Sequence, residues 1–381
     1  MENVNANKKI STWQAACIIT GYGIGAGVLA MPYMAEKVGF IGSMVLLFAA
    51  CGVSLLLHLM IADLTIKTGI GSQVVSVFSK FMFRGKLKTF FTVLFFGLMA
   101  VVLCANLAAY IAGAADVLAD LLGIDPLLCK IIFYAAAASV VLFGLKAVAV
   151  SETVMVTVIF ALIATLGIAS FINPLHSLPF SFGGAKDTVS YFSMAMLAFG
   201  AFFSVPQAVE GLGGDEKEIK KAITWGLGNN LIIMIVVIIG ALIASPEVTE
   251  VGMIGWSKGI GLWAQIVGSA FTLFAMLTTY WSVSLALSDI VKDQFKLGSK
   301  ICWVFATIPS LVLSVATNGD FLDFLNIAAG AIAIIIALLL IPCFNNARRE
   351  IPGSLCGKFS SLGWQITVAV CYVLMAIGSV L

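Results

Sequence analysis

Residues 21–32 read Gly21-Tyr22-Gly23-Ile24-Gly25-Ala26-Gly27-Val28-Leu29-Ala30-Met31-Pro32. Four glycines fall at every second position, inside an apolar run that starts near Thr12 and is long enough to cross a bilayer. Each glycine costs a helix about 1 kcal/mol relative to alanine, and each leaves the backbone open to close approach. A small-residue stripe for helix packing is the alternative reading. Such a stripe uses spacings of three or four, whereas residues two apart do not share a helical face. The run therefore reads as an unwound stretch of a membrane helix, and in lipid an unwound backbone must face protein or a cavity. A nucleotide-binding loop is excluded, because no Gly-Lys-Ser/Thr ending follows and no strand precedes.

Outward from this stretch the chain stays apolar. Of 381 residues, 61% are hydrophobic and 10% charged, and the mean hydropathy is +1.09. One soluble core could not hide that much apolar surface. Spans are expected near 12–36, 40–66, 88–116, 127–145, 148–172, 189–211, 220–244, 260–289, 300–317, 321–342 and 362–380. Short polar segments separate them, none long enough for a second domain. The lead MENVNANKKI has no signal-peptide cleavage site. The eight cysteines sit mostly inside apolar runs without a CxxC pair and read as small hydrophobes. This is an all-α polytopic membrane protein, multi-pass in the plasma membrane.

The basic residues orient it. With the N-terminus in the cytoplasm, 17 of the 21 Lys and Arg fall inside, and only Lys37, Lys130, Lys186 and Lys258 fall outside. Outside acids include Asp120, Asp125, Asp187, Glu247, Glu250 and Asp320. Eleven spans then place the C-terminus outside the cell.

The sixth span carries a second interruption, Phe199-Gly200-Ala201-Phe202-Phe203-Ser204-Val205-Pro206. Pro32 is followed by Glu36 and Gly39, and Pro206 by Glu210 and Gly213, an offset of 206 − 32 = 174. The same offset lays five spans on the next five with inverted topology. Paired interrupted helices in inverted halves point to a secondary transporter. The expected division is a first repeat over 1–172, a second over 189–342, and an extra helix over 362–380.

At this point the chain resembles a known group. GxGIGAGVLAMPYxxxxVGF, starting at Gly21, is similar to the opening helix of permeases in the amino acid/auxin and tryptophan/tyrosine branches of the amino acid–polyamine–organocation superfamily. The resemblance implies an inverted five-plus-five helix transporter core with broken helices one and six, here with an eleventh helix. It also implies alternating-access transport of an amino acid driven by sodium or protons. No long cytoplasmic tail is seen, so regulatory functions of longer relatives are not carried over.

The resemblance assigns roles. Gly23, Gly25, Ala26 and Gly27 should offer backbone N–H groups to the substrate carboxylate, as a helix N-terminus does to an anion. Carbonyls near Tyr22 and from Met196 to Phe199, beside Gly200, should take the ammonium, with Phe199 as a gate aromatic or an ordinary core residue. Asn106 and Tyr110, four apart on span three, form a polar face that serves the substrate or an interhelical bond. Small residues at Gly25, Ala26, Gly27 and Ala201 leave room for a neutral substrate of medium or aromatic size. Span eight reads Ala275-Met276-Leu277-Thr278-Thr279 and resembles the Ala-x-Leu-Thr-Ser segment of sodium-coupled relatives. A sodium site is expected from carbonyls near Gly21 and Ile24, the Ala275 carbonyl, and the Thr278 and Thr279 hydroxyls. The alternative is local bonding of each hydroxyl to the preceding turn.

Charged residues within spans are few. Asp63 and Glu152 read as lying near cytoplasmic ends, where they cost little. His58 lies deeper and is the candidate proton relay, against a neutral packing role. Sodium is favoured over the proton as coupling ion, and no cofactor is expected. The protein is not read as an enzyme, since no His, Asp or Cys cluster occupies one membrane face. A proton-coupled or uncoupled amino acid exchanger or uniporter on the same scaffold is the nearest alternative; a membrane channel or a nutrient sensor is the alternative of another class. The expected partners are a free amino acid and the lipid bilayer, with no nucleic acid, and a monomer suffices.

Overall fold

The computed structural model describes residues 8–249, 251–317 and 321–381. The side chains of Ala26 and residues 321–329, and the charges expected at Glu250 and Asp320, lie outside the described residues. The chain forms fifteen α-helices among the described residues: α1 (Thr12–Gly23), α2 (Ala26–Val38), α3 (Phe40–Thr68), α4 (Val74–Phe81), α5 (Lys88–Leu122), α6 (Pro126–Val141), α7 (Leu145–Ile172), α8 (Ala185–Ala198), α9 (Val205–Gly211), α10 (Glu216–Ala244), α11 (Gly252–Ile260), α12 (Leu262–Phe295), α13 (Ser299–Ala316), α14 (Phe321–Glu350) and α15 (Leu362–Gly378).

Eight of the described helical stretches are long and apolar enough to cross a membrane, and the α1–α2 pair adds a ninth as a span bent by 57°. The segments read as spans four and eleven form shorter apolar helices, Pro126–Val141 and Leu362–Gly378. Two short helices arise where the sequence reading saw only punctuation. The amphipathic α4 follows span two, and α11 bridges spans seven and eight. Large apolar side chains such as Val45, Phe48, Val101, Ile168 and Phe171 are exposed, as a lipid-facing surface requires.

The α1 start is set by a capping box. Ser11 Oγ accepts from Gln14 N, and the Gln14 side-chain oxygen accepts from Ser11 N at 2.8 Å. Its end is the glycine run: α1 stops at Gly23, and α2 begins at Ala26 after Gly25. The second interruption is softer. α8 stops at Ala198, a 3-10 turn runs over Ala201–Ser204, and α9 restarts with Pro206 in its first turn. The two broken helices share their exits, since Gly39 and Gly213 both take positive φ, 81° and 64°, where L side chains are strained. α1 packs against α7, α10 and α12, and α2 against α8 and α10. The two breaks therefore meet inside the bundle rather than in lipid.

Candidate functional site

The first break is walled by α12. Thr279 Oγ1 lies 2.8 Å from the Gly21 carbonyl of α1 and 3.0 Å from the Ala275 carbonyl of its own helix. Thr278 Oγ1 lies 2.9 Å from Ala275 O and 3.0 Å from Phe274 O. Each hydroxyl has one hydrogen and serves one carbonyl at a time. Four oxygens expected to hold sodium, from Gly21, Ala275, Thr278 and Thr279, are thus brought together, within a network that also contains the local bonds of the alternative reading. Ile24 is buried and its N–H closes the last α1 turn on Thr20 O at 3.0 Å. Among the described residues, no hydrogen bond joins its carbonyl to the other four.

Beside this joint lies a small cavity of about 20 Å³, lined by Tyr22, Gly23, Gly25, Gly27, Asn106, Tyr110, Leu197, Ala198, Gly200 and Ile332. That volume holds a water but not an amino acid, so the conformation is closed around its centre. Seven of these residues were singled out by name from the sequence, Leu197 and Ala198 fall within the Met196–Phe199 stretch whose carbonyls were expected to take the ammonium, and Ile332 was not anticipated. Gly25 is boxed in: a Cβ there would sit 2.5 Å from Tyr110 Oη and 2.8 Å from Thr279 Oγ1. Gly27 is used for close approach, because its Cβ would meet the Cβ of Ala198 at 2.5 Å. The room expected from the small residues is therefore taken up by contact between the two broken helices in this state.

Met196 and Phe199 do not line the cavity. Met196 Sδ accepts from Ser54 at 3.9 Å, and Phe199 is fully buried at the α8 end. Of the phenylalanines at the second interruption it is Phe203 whose ring stacks on Tyr22, with centroids 6.4 Å apart. Phe203 was missed because the 3-10 turn, which rotates it toward α1, has no signature in composition.

The reading of the two span carboxylates divides. Asp63 is paired, with Lys67 Nζ at 2.8 Å and the Leu355 N–H at 2.8 Å. Glu152 is not the inexpensive end-of-span residue expected. It is 0% exposed. Its Oε1 accepts from Ser282 Oγ at 2.7 Å, and its Oε2 has no hydrogen-bond partner. The distance from Leu145 to Glu152 along α7 is short, but Gly21 of α1 and Ser282 of α12 pack onto its carboxyl and it is fully buried. His58 Nδ1 lies 2.6 Å from the Ser54 carbonyl, which fixes the hydrogen on Nδ1. Its Nε2 is buried without a partner, and its ring edges onto Phe202.

Asn230 of α10 was also missed, although its neighbour Asn229 marks a polar pair in an apolar run. It is fully buried against Gly23, and neither amide atom has a partner. Asn229 Nδ2 donates to Thr20 Oγ1 at 3.1 Å.

At the basic end of the bundle the chain start is latched to the α9–α10 corner. Lys9 and Ile10 N–H both reach Gly211 O, at 2.8 and 3.2 Å. Lys9 pairs with Glu210 at 2.5 Å, Lys8 with Asp215 at 3.0 Å, and Thr12 bonds to Glu218. The hydrogen bond from Lys8 holds the Asp215 carboxyl below its usual range.

This arrangement has counterparts among solved structures. The chain is similar to MHP1, a nucleobase-cation-symport-1 family transporter in a closed conformation with bromovinylhydantoin bound, at TM-score 0.68 and 14% identity, over 98% of this chain and 91% of that one. It is also similar to MhsT, in complex with L-phenylalanine, at TM-score 0.58 and 16% identity, over 98% and 99%. No curated protein matches it. At these identities the likeness is one of fold: the inverted five-plus-five helix transporter core with a broken first helix and extra helices. Residues 8–377 match the profile of the tryptophan/tyrosine permease family. With nearly the whole chain matched, the chain belongs to the tryptophan/tyrosine permease family.

Proposed function

We propose that this permease imports neutral amino acids of medium or aromatic size by alternating access, together with a cation, sodium ahead of the proton. The observation that carries the reading is the convergence of the Gly21 and Ala275 carbonyls and the Thr278 and Thr279 hydroxyls on the break in helix one, next to a central cavity. Sodium is a hard ion and takes oxygen ligands. Rotating the two hydroxyl hydrogens away from the carbonyls turns both oxygens into donors of electron pairs toward one point. Bound there, the ion ties half-helix α1 to α12 and favours whichever conformation holds that geometry.

The substrate end follows the polarity of the break. The N-terminus of α2 leaves its first N–H groups without intrahelical partners, which suits a carboxylate. Apart from the Asn106 amide, the other lining side chains are apolar or aromatic, and none of the lining residues carries a charge that would favour lysine or glutamate. The aromatic preference is supported by the family and by the L-phenylalanine in the MhsT structure. The charge bias places the N-terminus in the cytoplasm and the C-terminus outside.

The test is uptake of radiolabelled amino acids into proteoliposomes, with sodium replaced by choline at fixed pH. Loss of concentrative uptake in choline supports sodium. Uptake unchanged in choline and following an imposed pH gradient would move the coupling to the proton. The buried Glu152 favours that second reading for at least part of the coupling.

A further inference from the structure

α1 packs against α10, and on the lipid side of that seam the surface is hollow. Trp13 of α1 and Thr224, Trp225, Gly228, Asn229 and Ile232 of α10 line a groove of about 390 Å³. Its floor is Gly228, where an added Cβ would meet nothing within 4 Å. Its walls are the two exposed indoles, set edge to face with centroids 6.4 Å apart. Ile232, also exposed, closes the far end. Tryptophan collects at the level of lipid headgroups, so the groove runs from that level into the hydrocarbon.

The rim is rich in donors that lack acceptors. Trp256 and Trp303 give their indole N–H to Ser170 Oγ and to the Ala138 carbonyl. Those of Trp13 and Trp225 have no hydrogen-bond partner among the described residues. Thr153, Thr157 and Thr165 of α7 close on the carbonyl four residues back. The exposed Thr224 hydroxyl makes no hydrogen bond among the described residues. Lys221 and Lys217 stand on the Gly228 face of α10, about 10 and 16 Å nearer its start. Lys221 shares its ammonium with Glu218 at 2.9 Å, whereas Lys217 forms no ion pair among the described residues. The acids nearby are spent or averted: Glu218 also takes the Thr12 hydroxyl, and Glu216 lies about a third of a turn around the helix from this face. A ligand for such a rim carries acceptors and negative charge at one end and a hydrocarbon chain at the other. A phosphodiester with ester carbonyls and acyl chains has that form.

We propose that the α1–α10 groove binds one anionic phospholipid. Lys217 and Lys221 hold its phosphate, the Trp13, Trp225 and Thr224 donors hold its ester carbonyls, and one acyl chain lies over Gly228 toward Ile232. The lipid bridges the two helices beside the first break. Asn229 carries that contact inward, since its amide donates to Thr20 Oγ1 at 3.1 Å, one residue before the glycine run. Occupancy therefore favours the arrangement in which half-helix α1 lies against α10. The site rests on the membrane fold and is independent of the substrate and of the coupling ion.

The probe is dioleoyl phosphatidylglycerol, with dioleoyl phosphatidylcholine as the neutral control, added to the delipidated full chain in detergent and read by native mass spectrometry. The wild type should retain one phosphatidylglycerol, and each lysine at headgroup level adds about a fivefold preference for the anionic lipid. Lys217→Gln, an exposed change, should lower that preference about fivefold. Gly228→Leu fills the hollow and should lose the retained lipid. Thermal unfolding gives a second readout: phosphatidylglycerol should raise the midpoint of the wild type and leave that of Gly228→Leu unchanged. Equal retention of the two lipids by the wild type, or a Gly228→Leu protein that keeps phosphatidylglycerol as the wild type does, overturns the proposal. A midpoint raised as far by inorganic phosphate alone also overturns it, because the site would then hold an ion without a lipid. If Gly228→Leu does not purify as a monodisperse protein, Lys217→Gln decides, and an unchanged preference counts against the site.

Discussion

Gly25→Ala is the sharpest perturbation of the closed state. The added Cβ would lie 2.5 Å from Tyr110 Oη, 2.8 Å from Thr279 Oγ1 and 3.0 Å from Tyr110 Cε1, where ordinary contact begins at 3.4 Å. The tyrosine hydroxyl must therefore withdraw by 3.4 − 2.5 = 0.9 Å, and Thr279 by 3.4 − 2.8 = 0.6 Å. Both are held by close packing, with Tyr110 and Thr279 almost fully buried. Overpacking of this kind costs about 1–3 kcal/mol. Open conformations, in which α1–α2 and α5 separate, escape that cost. The population able to close then falls by about 5- to 150-fold, and L-tryptophan affinity falls with it, while the protein still purifies. Scintillation-proximity binding to purified protein measures the loss. Adding Tyr110→Phe removes the nearest atom but leaves Thr279 Oγ1 and the ring, so the double variant should recover part of the loss, a coupling that a double-mutant cycle quantifies. Wild-type affinity in Gly25→Ala alone would refute the reasoning, since it would mean the box around Gly25 does not form in the bound state.

Thr278→Val with Thr279→Val keeps shape while removing two hydroxyls. It should abolish the sodium dependence of binding measured against choline, and a retained dependence would move the ion elsewhere. Cysteines placed at Ala185 or Glu247 should react with an impermeant reagent added to intact cells, and those at Lys217 or Lys300 should not; labelling at 217 would invert the topology. Lys9→Ala breaks an exposed pair with Glu210 worth about 0–1 kcal/mol, so a cysteine at Gln73, which is buried and lines the same hollow as Glu210, should become up to about fivefold more reactive to a polar thiol reagent, read by mass spectrometry. The Asp215 carboxyl is depressed by Lys8, so its contribution is present above its ordinary value of 3.8 and is lost only as pH falls through the lower folded value. Asp215→Asn should therefore leave the pH profile of uptake between about pH 5.5 and 8 unchanged; a flattened profile would contradict this.

Sequence alone determined what local physics governs. Glycines at every second position in an apolar run cannot hold a helix, and α1 ends where Gly21–Gly27 said it would break. Apolar length determined the membrane spans, because lipid tolerates little else, and the motif around Gly25 led to the family. The cavity lining was legible where polar or glycine residues stood out, as at Tyr22, Gly25, Asn106 and Tyr110. Only the tertiary structure decided which groups meet. Ile332 looks like any lipid-facing residue until the bundle turns it inward. Phe203, rather than Phe199, stacks on Tyr22 because the 3-10 turn rotates it. Glu152 was misjudged for the same reason. Its distance along α7 suggested solvent, but burial is a property of what packs around a position, and α1 and α12 close over its carboxyl.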